Sequence, residues 1–157
     1  EVIVADQIIM GLILDAGDAK QHIYQALSLA KDGKFSECDE QIELADKALL
    51  EAHNLQTKFL AQEAGGTKTE ITALFVHSQD HLMTSITEIN LIKEIIEKHF
   101  ENMVDDVLAH TETYYEALGA IGSIKGCNVP DMIHLADCLR KAIRKRAMQQ
   151  KTPNHDN

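Results

Sequence analysis

Apolar positions in the first thirty residues recur at steps of three and four: Ile9, Leu12, Ile13, Ala16, Ile23, Leu27 and Ala30. Such steps gather side chains on one side of an α-helix. They predict a helix from about Val2 to Ala30, ended by Lys31 to Lys34 with Gly33. A second helix is expected after Phe35, with Ser36 as its cap and Asp39 at the third helical position. Its stripe of Cys38, Ile42, Ala45, Leu49, Ala52, Leu55 and Phe59 runs to about Gln62, before Ala64, Gly65 and Gly66 break it. Two antiparallel helices result.

A third helix is predicted to open with Thr67 and Glu70 in capping-box spacing. Its seam, Ile71, Phe75, Ser78, Leu82, Ser85, Ile89, Ile92 and Ile96, alternates steps of four and three. Met103, Val107 and Leu118 hold roughly the same phase, so periodicity leaves open whether the helix continues past Phe100 or bends there. Gly119 to Pro130 is expected to be a loop, Pro130 or Asp131 the start of a last helix, and Lys151 to Asn157 a disordered end. No internal repeat or low-complexity tract is visible.

The 157 residues suffice for one domain with a real core, or for one small domain plus an appendage. With aromatics at 4% and no Trp, that core must be built from Leu, Ile, Ala and Met, and 2 Pro with 8 Gly leave little room for strand-and-turn architectures. The fold class is all-α. Cys38, Cys127 and Cys138 form no CxxC pair and suit reduced thiols in the cytoplasm better than a disulfide framework. The opening segment has an apolar run but neither a basic leader nor a cleavage-site pattern, so it is not read as a signal peptide, and Asp6, Asp15 and Asp18 exclude a membrane span there.

Charge divides the chain. Residues 1–101 carry 18 acids against 8 lysines, a net of −10, whereas residues 102–157 hold 7 acids and 7 bases. Arg is absent until Arg140, Arg144 and Arg146. A formal charge of −10 excludes a general nucleic-acid binder and suits a basic protein partner. The basic run from Arg140 to Arg146 reads as a solvated face, with RNA, an anionic membrane or an acidic partner as the other readings.

Candidate chemistry is concentrated in Val76-His77-Ser78-Gln79-Asp80-His81-Leu82-Met83-Thr84. His77, Asp80, His81 and Thr84 lie at offsets of 0, 3, 4 and 7 and share one helix face. Three readings stay open on the residues alone. The histidines can be solvated or packed without further role; His-x-x-Asp-His can be two ligands of a zinc hydrolase, although that class needs a third ligand and a glutamate base and the acid here is the shorter Asp; or a neutral imidazole can attack phosphorus and relay a phosphoryl group.

The chain resembles a known family, the enzyme IIA component of the lactose and cellobiose/diacetylchitobiose branch of the bacterial phosphotransferase system. The likeness covers residues 2–100 through Ile8-Ile9-Met10-Gly11-Leu12-Ile13 with Ala16-Gly17-Asp18-Ala19, Glu51-Ala52-His53 with Gln56-Thr57, and Val76 through Ser85. It implies an antiparallel up-down-up three-helix bundle over 1–101 that assembles as a homotrimer with the third helices on the axis; residues 102–157 have no counterpart in the single-domain members of the family and are read as a helical extension of unknown role. It further implies a cytoplasmic phosphotransferase component with a role in sugar transport, serving a β-linked disaccharide. His77 would be phosphorylated by the histidine-containing phosphocarrier protein and discharged onto a cysteine of the sugar-specific IIB protein; contact with the membrane would be indirect, through IIC. His81 is implied as an accessory site residue, Gln79 and Thr84 as weaker candidates, and Asp80 as the buried acid that gathers a divalent cation, Mg2+, at the axis. Ser78 stands where the family leads one to expect alanine. A regulatory interaction protein on this fold is the alternative, beside the metal-dependent hydrolase.

Overall fold

The computed structural model describes residues 4–123 and 129–151, which hold five α-helices and no strand. They are α1 (Ala5–Lys31), α2 (Phe35–Ala64), α3 (Ala73–Ala109), α4 (Tyr114–Gly122) and α5 (Val129–Gln149). The all-α expectation therefore holds. Two compact units divide the chain: Glu1–Leu27 with Asp39–Glu94, and Ser28–Cys38 with Ile95–Asn157.

In the first unit the seams are buried as their spacing requires. Ile8, Leu12, Ala16, Ala19 and Ile23 of α1, Ala45, Ala52 and Phe59 of α2, and Ser78, Leu82, Ser85, Ile89 and Ile92 of α3 are all buried. Ile8, Leu12, Ala52, Phe59 and Leu82 form one cluster across the three helices. Polar and ring contacts give the helix directions. His22 meets Gln41 at 2.7 Å while Gly11 lies against Leu55, so α1 and α2 run antiparallel. Lys93 pairs with Asp46, Gln56 with Gln79, and the rings of Phe59 and Phe75 lie 5.4 Å apart, so α3 runs antiparallel to α2.

The helix ends depart from the expectations in instructive ways. At the end of α1, Gly33 takes φ 76°, Gly33 N–H donates to Ala30 O and Lys34 N–H to Leu29 O. This is a Schellman motif, which needs a left-handed residue. It leads directly into α2 at Phe35, so the predicted cap Ser36 lies inside the first turn instead. A second Schellman motif ends α2: Gly66 has φ 100°, and Thr67 N–H donates to Gln62 O. Thr67 is thereby committed to closing α2, and the predicted Thr67/Glu70 box does not open α3. Thr72 does, its hydroxyl accepting the Phe75 N–H at 3.1 Å. Ile71, predicted on the seam, precedes the helix and is 70% exposed.

α3 continues past Phe100 to Ala109 because its apolar residues find a second core. In the second unit Val104 is buried with Phe35, Ala117, Ile121, Leu135 and Leu139, and Phe100, Met103 and Val107 pack against them. The Phe35 and Phe100 rings lie 4.2 Å apart. Part of the predicted 119–130 loop is helical: Gly119–Gly122 belong to α4, which Thr113 caps by accepting the Glu116 N–H. Residues 124–128, with Cys127, lie outside the described residues, as does most of the predicted disordered end. α5 starts at Val129, one residue before the predicted Pro130, and meets α4. Among the described residues no helix is long and apolar enough to cross a membrane.

Candidate functional site

The first turns of α3 carry the predicted site. His77 is exposed and His81 half-buried, their rings nearly parallel at 7° with centroids 6.2 Å apart, one helical turn along the same face. The buried side of this segment is Ser78, Leu82 and Ser85. Both seam hydroxyls are satisfied within the helix: Ser78 donates to Phe75 O at 2.7 Å and Ser85 to His81 O at 2.6 Å. Small side chains thus sit at the seam without leaving an unpaired hydroxyl.

The other predicted residues separate. Thr84 shares the histidine face, but its hydroxyl donates to Asp80 O at 2.8 Å and is thereby drawn to the backbone. Gln79 is two residues from His77, about 200° round the helix. Its Oε1 accepts from Gln56 Nε2 of α2, and its own Nε2 is buried with no partner among the described residues. The amide pair fixes the register of α3 against α2. Asp80, expected to be buried, is exposed in the single chain. It stands in a stripe with Val76, Met83 and Leu91, which are 52%, 53% and 60% exposed.

Among the described residues no three His, Cys, Asp or Glu side chains come close enough to hold a metal ion. The zinc-hydrolase ligand set is therefore not completed around His77 and His81 by any described residue. Asp80 supplies one carboxylate, and the rest of an oxygen shell for a divalent cation would have to come from outside one chain.

A further group was missed by the sequence reading. Glu88, at i+7 from His81, accepts from the Tyr24 hydroxyl and pairs with Lys20 at 3.0 Å, both on α1. The Tyr24 hydrogen bond, then Lys20, hold the Glu88 carboxyl below its ordinary range against a small burial effect, and the charge of His81 acts the same way. Tyr24 is correspondingly pushed up, since its hydroxyl donates to Glu88. Lys20 and Tyr24 one turn apart on α1, and His81 and Glu88 two turns apart on α3, are visible as helix-face spacings. That the two faces meet is not.

Between α1 and α2, burial together with Glu51 and Asp18 raises the Asp15 carboxyl.

The family model of the phosphotransferase-system lactose/cellobiose-specific IIA subunit matches residues 7–99, more than half of the chain and the whole of the histidine segment. The chain belongs to this family. The N,N'-diacetylchitobiose-specific EIIA component of Escherichia coli K12 is 42% identical over 94 residues, covering 60% of this chain and 81% of that one. The lichenan-specific enzyme IIA component of Bacillus subtilis is 41% identical over 92 residues, covering 59% and 84%. The crystal structure of the cellobiose-specific enzyme IIA from Bacillus anthracis is similar with a TM-score of 0.59 at 43% identity, covering 63% of this chain and 91% of that one. As a member of the family, the chain is a phosphotransferase component of the sugar phosphotransferase system. The matched segment stops at residue 99, so α4 and α5 are additional to it.

Proposed function

We propose that the chain carries a phosphoryl group on His77, taken from the histidine-containing phosphocarrier protein and passed to a cysteine of a sugar-specific IIB protein during uptake of a β-linked disaccharide. The observation that carries this reading is the exposed His77 ring, without a hydrogen bond among the described residues, on α3 inside the family-matched segment. A neutral imidazole presents a lone pair that attacks phosphorus; the P–N bond to the donor histidine breaks as the P–N bond to His77 forms. In the second step the IIB thiolate attacks, the bond to His77 breaks, and the electron pair returns to the ring. No small-molecule pocket is needed, since positioning and electrostatics do most of the work in phosphoryl transfer. His81, one turn away, is placed to donate to a phosphoryl oxygen once protonated. Gln79 acts through Gln56 to fix the helix.

The exposed stripe of Val76, Met83 and Leu91 supports assembly of three copies along α3. Asp80 lies in that stripe, and three carboxylates brought to one axis would repel unless protonated or neutralised by a divalent cation such as Mg2+. The homologues include diacetylchitobiose-, lichenan- and lactose-specific components, and this chain is proposed to serve a sugar of that class in the cytoplasm.

The test uses the purified chain with phosphoenolpyruvate, enzyme I and the phosphocarrier protein, read by intact mass. Wild type is expected to gain one phosphoryl group in acid-labile, base-stable linkage, and His77→Ala none while keeping its helix content. An adduct of equal yield in His77→Ala refutes the assignment. No adduct in either, with active partners, returns the scaffold to the regulatory interaction reading.

A further inference from the structure

We propose that the outer face of α5 docks on the surface of an anionic lipid bilayer. The inner face of this helix is occupied: Leu135 and Leu139 are fully buried in the second unit's core, with Cys138 and Ala142 beside them. The opposite side carries an excess of positive charge. Arg140 and Arg144 stand one turn apart, exposed, and neither meets a carboxylate among the described residues. Lys141 and Lys145 repeat the same spacing. Lys141 shares Asp137 at 2.9 Å, but Lys145 reaches Glu101 only at 4.0 Å, and Lys98 already holds that carboxylate at 3.2 Å. Like charges at i and i+4 oppose one another. A helix that stacks two such pairs gains from an external anion what it does not gain within the chain.

Exposed apolar side chains bracket these cations. Ile133 is 66% and Met148 72% exposed, and helical spacing puts both on the side of Arg140 and Arg144. Lys141, Arg144, Lys145, Met148 and Gln149 line a shallow open depression. An apolar residue at either end of a cationic patch matches the lipid interface, where phosphate lies above the first methylenes.

Size decides between a bilayer and a folded acidic protein. From Ile133 to Met148 the face is about 22 Å long and about 10 Å wide. That footprint is a fraction of the roughly 800 Å² per partner that a specific protein interface uses. A fluid anionic surface needs no shape complementarity and takes each charge separately.

The full chain is mixed with sedimenting vesicles of equal parts phosphatidylglycerol and phosphatidylcholine, or of phosphatidylcholine alone, and the bound fraction is measured. Binding is expected with the anionic vesicles only, and is expected to vanish near 1 M salt, where the Debye length falls to about 3 Å. Each basic residue near such a surface strengthens binding about fivefold, so Arg140→Gln with Arg144→Gln lowers the partition about 25-fold. Both positions are exposed, so circular dichroism should be unchanged. Asp137→Asn releases Lys141 and is expected to raise binding up to about fivefold. Equal binding to neutral vesicles, no binding to either, or an unchanged partition in the double variant overturns the proposal. Preferential binding to polyuridylate or polyglutamate at matched charge and salt also overturns it, in favour of a nucleic acid or a protein.

Discussion

Leu82→Ala tests whether the α3 seam is the centre of the first unit. Leu82 is fully buried, one residue from half-buried His81. Its side chain lies among Ile8 and Leu12 of α1 and Ala52 and Phe59 of α2, with Phe75 and Ile86 beside it on α3. The substitution removes three carbons, a transfer loss of about 2.4 kcal/mol at roughly 0.8 per methylene. A cavity contribution adds to this, because surroundings held from three helices collapse only in part. The expected total is about 3 to 4 kcal/mol, a large share of the 5 to 15 kcal/mol typical of a domain. Urea unfolding of wild type and variant at one protein concentration measures it as a fall in midpoint at unchanged slope. Asn90→Ala, on an exposed position of the same helix, should move stability by about 0.5 kcal/mol or less. A loss below about 1.5 kcal/mol for Leu82→Ala, or equal losses for the two, would refute the packing argument. His77 is exposed and is not part of the buried cluster around Leu82, so phosphoryl uptake by the folded fraction is expected to persist.

Gly33→Ala is expected to cost about 1 to 2 kcal/mol, because φ 76° burdens any residue with a Cβ, and thermal unfolding checks it. Ser78→Ala should change stability by less than about 1 kcal/mol, since its hydroxyl bonds only the Phe75 carbonyl of its own helix; a loss above 2 would show that the hydroxyl has another partner. The raised carboxyl of Asp15 favours its protonated form, so its relative contribution is full below the unfolded value near 4 and is lost as pH rises through the folded one. Asp15→Asn is accordingly expected to be more stable than wild type at pH 7 by up to about 1 kcal/mol and indistinguishable at pH 3, as a stability-versus-pH series will show. Glu88 has the opposite sign: its lowered carboxyl stabilises above the unfolded value and loses this as pH falls through the folded one. Glu88→Gln should therefore lose a few tenths of a kcal/mol at pH 7, the group being only half-buried, and nothing at low pH.

Much of this protein was legible in its residues. The four-three alternation from Phe75 to Ile96 reports a local property, the angle between successive side chains on a helix, and all but the half-buried first of those positions are buried. The shared face of His77 and His81 follows from the same angle. Helix ends were read less well, since Thr67 satisfies both a cap pattern and the close of the preceding helix, and only the Gly66 conformation chose between them.

What the tertiary structure alone decided concerns pairs far apart in sequence. Tyr24 on Glu88 and Gln56 on Gln79 join residues 64 and 23 positions apart on different helices, and no periodicity along one helix states which face of another it will meet. The continuation of α3 to Ala109 belongs to the same class. Apolar spacing permits a longer helix, but it forms because Phe35, α4 and α5 supply the surface against which Val104 is buried. Within each helix the sequence by itself determined the side that turns inward; packing determined what it turns towards and where the helix begins, because burial depends on partners brought together by the whole chain.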